Sequence, residues 1–104
     1  MEITNHDWKL FRRLLPDWQE AYMDRLNREY AEILAGEGNP SNKFWALEKR
    51  IRQDKHSPGV QLESKRSDLI YTLAALLNDG VITADDLEGF SDSVRKPLQM
   101  LLNL

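Results

Sequence analysis

Residues 8–33 read WKLFRRLLPDWQEAYMDRLNREYAEI, in which Trp8, Phe11, Leu15, Trp18, Tyr22, Leu26, Tyr30 and Ile33 recur at steps of three or four. At 3.6 residues per turn that spacing stacks them on one side of a helix, which marks an amphipathic helical segment. Pro16 interrupts the stripe. A proline inside a helix loses a backbone hydrogen bond and clashes one turn back, at a cost of about 3 kcal/mol. The stretch therefore predicts a short helix ending near Leu14 and a second starting at Pro16, with Asp17 and Glu20 in its positive first turn. A single kinked helix is the alternative. Thr4 or Asn5 can cap the start, with Asp7 close to the first free N–H groups. Gly36, after Ala35, suits a left-handed cap at the far end.

The same period continues outward from this stretch. Gly36 to Pro40 reads as a loop, with Asn39 or Ser41 capping a third helix whose inward side carries Phe44, Leu47, Glu48 and Ile51. Ser57-Pro58-Gly59 ends it near Lys55 or His56. Leu62, Leu69, Ile70, Leu73, Leu76 and Leu77 then form the widest apolar face, predicting the central helix, which stops at Asn78-Asp79-Gly80. Thr83 caps a short helix, with Asp86 as a capping-box partner. Ser91 or Ser93 starts the last, bearing Val94, Leu98, Leu101 and Leu102. No segment alternates as a strand does. The expected architecture is a compact all-α bundle of five or six helices, forming one domain over residues 1–104.

The 104 residues include no cysteine, which removes disulfides, thiolate catalysis and cysteine-ligated metals from consideration. With 41% hydrophobic and 30% charged residues the composition fits a globular protein and speaks against disorder. No signal peptide is read at the N-terminus, and no apolar run approaches the ~18–20 residues that span a bilayer. A cytoplasmic protein that binds no membrane is the expectation.

Catalytic motifs are missing. His6 and His56 lie in different segments, and neither has another histidine at metal-binding helical spacing. Asp79 to Leu87 resembles the second half of a calcium-binding loop. In that register Ala75 and Leu77 occupy positions that must supply oxygens, so a capped turn is the better reading. Asp17, Glu20 and Asp24 share a helix face as solvated carboxylates commonly do. The expectation is a protein without catalytic residues, metal or cofactor.

One feature points outward. Residues 43–66, KFWALEKRIRQDKHSPGVQLESKR, hold seven basic and three acidic side chains. The residues before them hold five and eight, and those after hold two and six. Phe44 and Trp45 are adjacent and point to different sides of one helix, so one of them should be partly exposed. An exposed aromatic among cations can anchor a protein partner or stack on bases. Trp45, Lys49, Arg50, Arg52, Lys55, Lys65 and Arg66 are the candidate partner-binding residues. The expected role is a small interaction module that binds a protein, with a nucleic-acid-binding regulator as the alternative and a homo-oligomer also compatible. Ordinary solvated helices with mixed charges would carry the same residues.

The chain resembles, over nearly its full length, a group of short all-helical bacterial proteins, mostly from Gram-positive anaerobes, for which no activity is established. The matching stretches include Trp8-Lys9-Leu10-Phe11, Lys43-Phe44-Trp45, Leu47-Glu48-Lys49-Arg50-Ile51, Pro58-Gly59-Val60 and Asp79-Gly80-Val81-Ile82. Some members carry a "multidrug transporter" label, which a chain with no spanning segment does not support. The resemblance implies a helical fold and transfers no functional residue.

Overall fold

The computed structural model describes residues 2–103, and among them the secondary structure is entirely helical. Four α-helices follow in order: α1 (Asn5–Ala35), α2 (Pro40–Asp54), α3 (Leu69–Asn78) and α4 (Asp92–Leu102). Two short 3-10 turns, Arg66–Asp68 and Ala84–Leu87, precede α3 and α4. Among the described residues no helix is long and apolar enough to cross a membrane.

The count falls below the expected five or six because Pro16 does not break the chain. α1 runs through it for 31 residues, which at 1.5 Å per residue spans about 46 Å. Pro16 itself is exposed, so the Arg12 carbonyl that loses its N–H partner lies on the wet side of the helix. The apolar stripe continues on either side of it, with Phe11 and Trp18 both buried. Burying each is worth about 1.5–3 kcal/mol, enough together to offset the proline. The segment after Thr83 is too short for an α-helix and forms the second 3-10 turn, closed by the expected Thr83–Asp86 capping box.

The core gathers around the N-terminal half of α1. Phe11 and Trp18 pack against Leu69, Leu73 and Leu76 of α3, Ile82, Leu87 and Phe90 of the connection, and Val94 and Leu98 of α4. α3 is the central helix anticipated from its leucines, three of which have no exposed surface. Leu62 lies outside it, in an irregular stretch leading to the first 3-10 turn. Gly80 has φ +72°, the left-handed conformation that ends α3. Gly36 does not take the left-handed cap expected of it, since its φ is −70°.

Asp7 ties the two ends of this core together. Thr4 caps α1, and Asp7, three residues on, is fully buried. Its carboxylate accepts from the Thr4 hydroxyl (2.8 Å), the Ser91 backbone N–H (2.9 Å) and the Ser91 hydroxyl (2.5 Å). Ser91, 84 residues from Asp7, is the N-cap of α4, so one side chain joins the starts of two helices. Burial acts to raise the Asp7 pKa, but hydrogen bonds donated by Ser91 and Thr4 outweigh it and hold the carboxyl below its usual value.

The molecule is not compact. Its radius of gyration is 16.6 Å and its extents are 53 × 28 × 21 Å, against about 13 Å expected for the radius of a compact chain this long. The C-terminal half of α1 leaves the core and, with α2, forms a two-helix arm. Among the described residues none in α2 is buried.

Candidate interaction surface

The arm is attached through the loop after α2. Gln19 Nε2 donates to the Pro58 carbonyl at 3.0 Å, and Gly59 lies so close to Tyr22 that a Cβ there would meet the ring at 2.3 Å. Gly59 therefore serves close approach; positive φ is confined, among the described residues, to Gly38 and Gly80. At the other end, Asn39 caps α2, its Oδ1 accepting from the Asn42 N–H, and Pro40 occupies the first turn.

Lys43, Leu47, Arg50 and Asp54, half-buried at helical spacing, turn toward α1. Arg50 bridges Glu29 (2.9 Å) and Asp54 (3.1 Å), and its guanidinium lies 5.6 Å from the Tyr30 ring centre. Tyr30 donates its hydroxyl to Asp54 at 2.6 Å. Burial and this hydrogen bond push the Tyr30 pKa up to about 12. The bonds to Glu29 and Asp54 likewise raise that of Arg50. The inward side of α2 is thus polar and ionic rather than the Phe44–Leu47–Glu48–Ile51 row read from the sequence. Of that row Phe44 is 61% exposed and Ile51 37%.

Trp45 is 63% exposed, and its ring meets that of Phe44 edge-on with centres 5.0 Å apart. Lys49 and Arg52 follow Trp45 one and two turns on, so the three form a ridge on the outer side of α2. Lys55 is exposed beside the ridge. Arg52 is held by Glu48 in an exposed pair one turn apart. Among the described residues no carboxylate lies within ion-pair distance of Lys49, Lys55 or Lys65.

The seven sequence-selected residues do not form one patch. Trp45, Lys49, Arg52 and Lys55 share the accessible part of α2, while Arg50 is consumed between α1 and α2. Arg66 sits toward the opposite end of α1, where its guanidinium donates to the Ile3 carbonyl and to Asn5 Oδ1 (2.6 Å). Lys65 adjoins it in sequence at that end. Arg66 is a clamp on the start of α1, a role that no sequence spacing signals.

Three further grooves escaped the sequence reading. Phe44, Leu47, Glu48, Ile51, Arg52 and Lys55 line a shallow groove of about 380 Å³ along α2. A second, of about 320 Å³, lies between the arm helices and shares Ile51 and Lys55 with the first. At the far end of the molecule Ile3, Ile70, Tyr71, Pro97, Met100 and Leu101, together with Ser67 and Lys96, line an open and largely apolar groove of about 580 Å³. Among the described residues no group of three or more His, Asp and Glu side chains could hold a metal ion. Asp86, the residue that would close a calcium loop, spends its carboxylate on the Thr83 N–H and hydroxyl. No family model, curated relative or solved structure matches the chain.

Proposed function

We propose that this protein is a non-catalytic interaction module that docks a protein partner on the outer ridge of α2. Trp45 is the anchor, and Lys49, Arg52 and Lys55 steer an acidic partner surface toward it. The observation that carries this reading is Trp45 itself, 63% exposed on a helix that is stationed away from the core. Removing so large an aromatic from water is the main gain available to a small recognition surface.

The nucleic-acid alternative draws less support. Phosphate tracking needs several free cations along one groove, whereas Arg50 and Arg66 are committed to Glu29, Asp54, Ile3 and Asn5. The test is capture by tagged wild-type protein compared with Trp45→Ala and with the Lys49→Glu/Lys55→Glu variant. A partner that is retained by the wild type and lost by both variants supports the ridge. A capture pattern unchanged by both refutes it, and retention of DNA or RNA that falls steeply with salt would favour the alternative.

A further inference from the structure

The arm has a second exposed side, next to the Trp45 ridge and sharing Arg52 and Lys55 with it, whose apolar residues the proposed function does not use. On α1, Met23, Asn27, Tyr30 and Leu34 follow one another at steps of four, three and four. On α2 and its C-terminal cap, Phe44, Glu48, Ile51 and Lys55 repeat the same steps, apolar and charged in turn, with Leu47 beside them. These are the seven-residue repeats by which helices pack in coiled coils and bundles. The two rows face the same way, because one groove is lined jointly by Met23, Asn27 and Tyr30 from α1 and Ile51 and Lys55 from α2. The groove along α2 extends that side from Ile51 and Lys55 to Phe44. Leu34, Phe44 and Ile51 are 49%, 61% and 37% exposed, so these three apolar positions lie open to water, while Met23 and Tyr30 are half-buried. The opposite side of the hairpin carries Arg25, Glu32, Ala46 and Gln53 and has no such row.

We infer that this side pairs with the same side of a second copy, completing an antiparallel four-helix bundle from two arms. Two antiparallel helices with heptad-spaced rows on one shared flank are half of such a bundle. Charge selects the arrangement. Leaving out Glu29, Arg50 and Asp54, which are spent between the two helices, residues 17–35 of α1 carry four acidic and two basic side chains, while α2 carries three basic and one acidic. A two-fold axis that lays α2 of one copy over α1 of the other brings opposite signs together at both contacts, since a two-fold interface repeats each contact. The face is two helices wide and, along α2, about 22 Å long. That breadth suits another hairpin, whereas a single docked helix would leave half of it wet. Trp45 and Lys49 lie on the outer edge in this arrangement, so dimerisation leaves them free and presents them twice, with Arg52 and Lys55 at the border of the two faces.

The test is sedimentation equilibrium of the full chain, from about 1 to 100 μM, the range where a micromolar association is read. The wild type is expected to reach twice the monomer mass. Ile51→Glu and Leu34→Glu, one on each helix and each checked by circular dichroism for unchanged helix content, should each weaken the dimer by about 100-fold or more, as loss of an interface hot spot does. Trp45→Ala should leave it within about 3-fold, as a rim position does. A wild type that stays monomeric throughout overturns the dimer and leaves the Trp45 ridge standing. A dimer insensitive to both glutamates, or abolished by Trp45→Ala alone, overturns the assignment of this face.

Discussion

Replacing Asp7 by alanine should cost about 3 kcal/mol of folding stability, from the breaking of a buried charged cluster. The carboxylate is fully buried and accepts three hydrogen bonds, one from Thr4 and two from Ser91. Bonds to a charged group contribute roughly 1.5–3 kcal/mol each, net of solvation. The variant loses all three, and because they share one carboxylate their sum falls well short of additive. It also strands the Ser91 N–H, previously paired at 2.9 Å, which costs about 1–3 kcal/mol. A net of about 3 kcal/mol is a large share of the roughly 5–15 kcal/mol available to a domain. Urea denaturation followed by circular dichroism should show a midpoint lower by about 2 M with the slope unchanged. pH supplies the cross-check. The folded pKa of Asp7 is depressed, so its contribution is fully present above the unfolded value near 4 and is lost as pH falls through the folded value. The stability gap between wild type and Asp7→Asn should therefore shrink below about pH 4. A midpoint within about 0.3 M of wild type for Asp7→Ala would refute the latch.

Four other outcomes follow from the same contacts. Gly59→Ala should destabilise by about 1–3 kcal/mol in urea, because the new methyl meets Tyr22 at 2.3 Å and the loop must lift from α1. Pro16→Ala should stabilise by about 1–2 kcal/mol, restoring the bond to the Arg12 carbonyl without disturbing a buried contact; a loss of stability would refute that reading of the proline. Tyr30 should titrate near pH 12 by its ultraviolet phenolate band, and Asp54→Asn should lower that midpoint toward 10. Since the Tyr30 pKa is raised on folding, its contribution is complete below pH 10 and disappears as pH rises through about 12. Arg52→Ala should change stability by less than about 0.5 kcal/mol, because an exposed pair with Glu48 contributes little.

The helices were legible wherever burial imposed a period. The Trp8 to Ile33 stripe, the leucines of α3, the Asn39 and Thr4 caps and the Thr83–Asp86 box all appear where their chemistry places them. Pro16 was misread because a local penalty was weighed without the core contacts on both sides of it, which only the tertiary structure supplies. The inward side of α2 was misplaced for a related reason. Hydrophobic residues were assigned to the interior, but on a helix outside the core Arg50 and Asp54 face the neighbour, and Phe44 and Ile51 face water. The Lys43 to Arg66 cluster looked like one patch because sequence proximity was read as spatial proximity. The chain instead turns at Pro58-Gly59 and runs back along α1, carrying Arg66 to Ile3. Asp7 was noticed as a helix-start residue, yet its partner lies 84 residues away and no local pattern announces it.

The most direct measurement of the proposed role is site-specific photocrosslinking in the cells that naturally produce the protein, with a benzophenone side chain placed at Trp45. The ridge predicts one discrete adduct, heavier than the chain by something other than its own mass, which disappears when Lys49 and Lys55 are reversed to glutamate. The same probe at Ala46, on the opposite edge of α2, should give no such band. An adduct formed equally from both positions, or none from Trp45 while a probe at Tyr71 captures a partner, would place recognition elsewhere on the molecule.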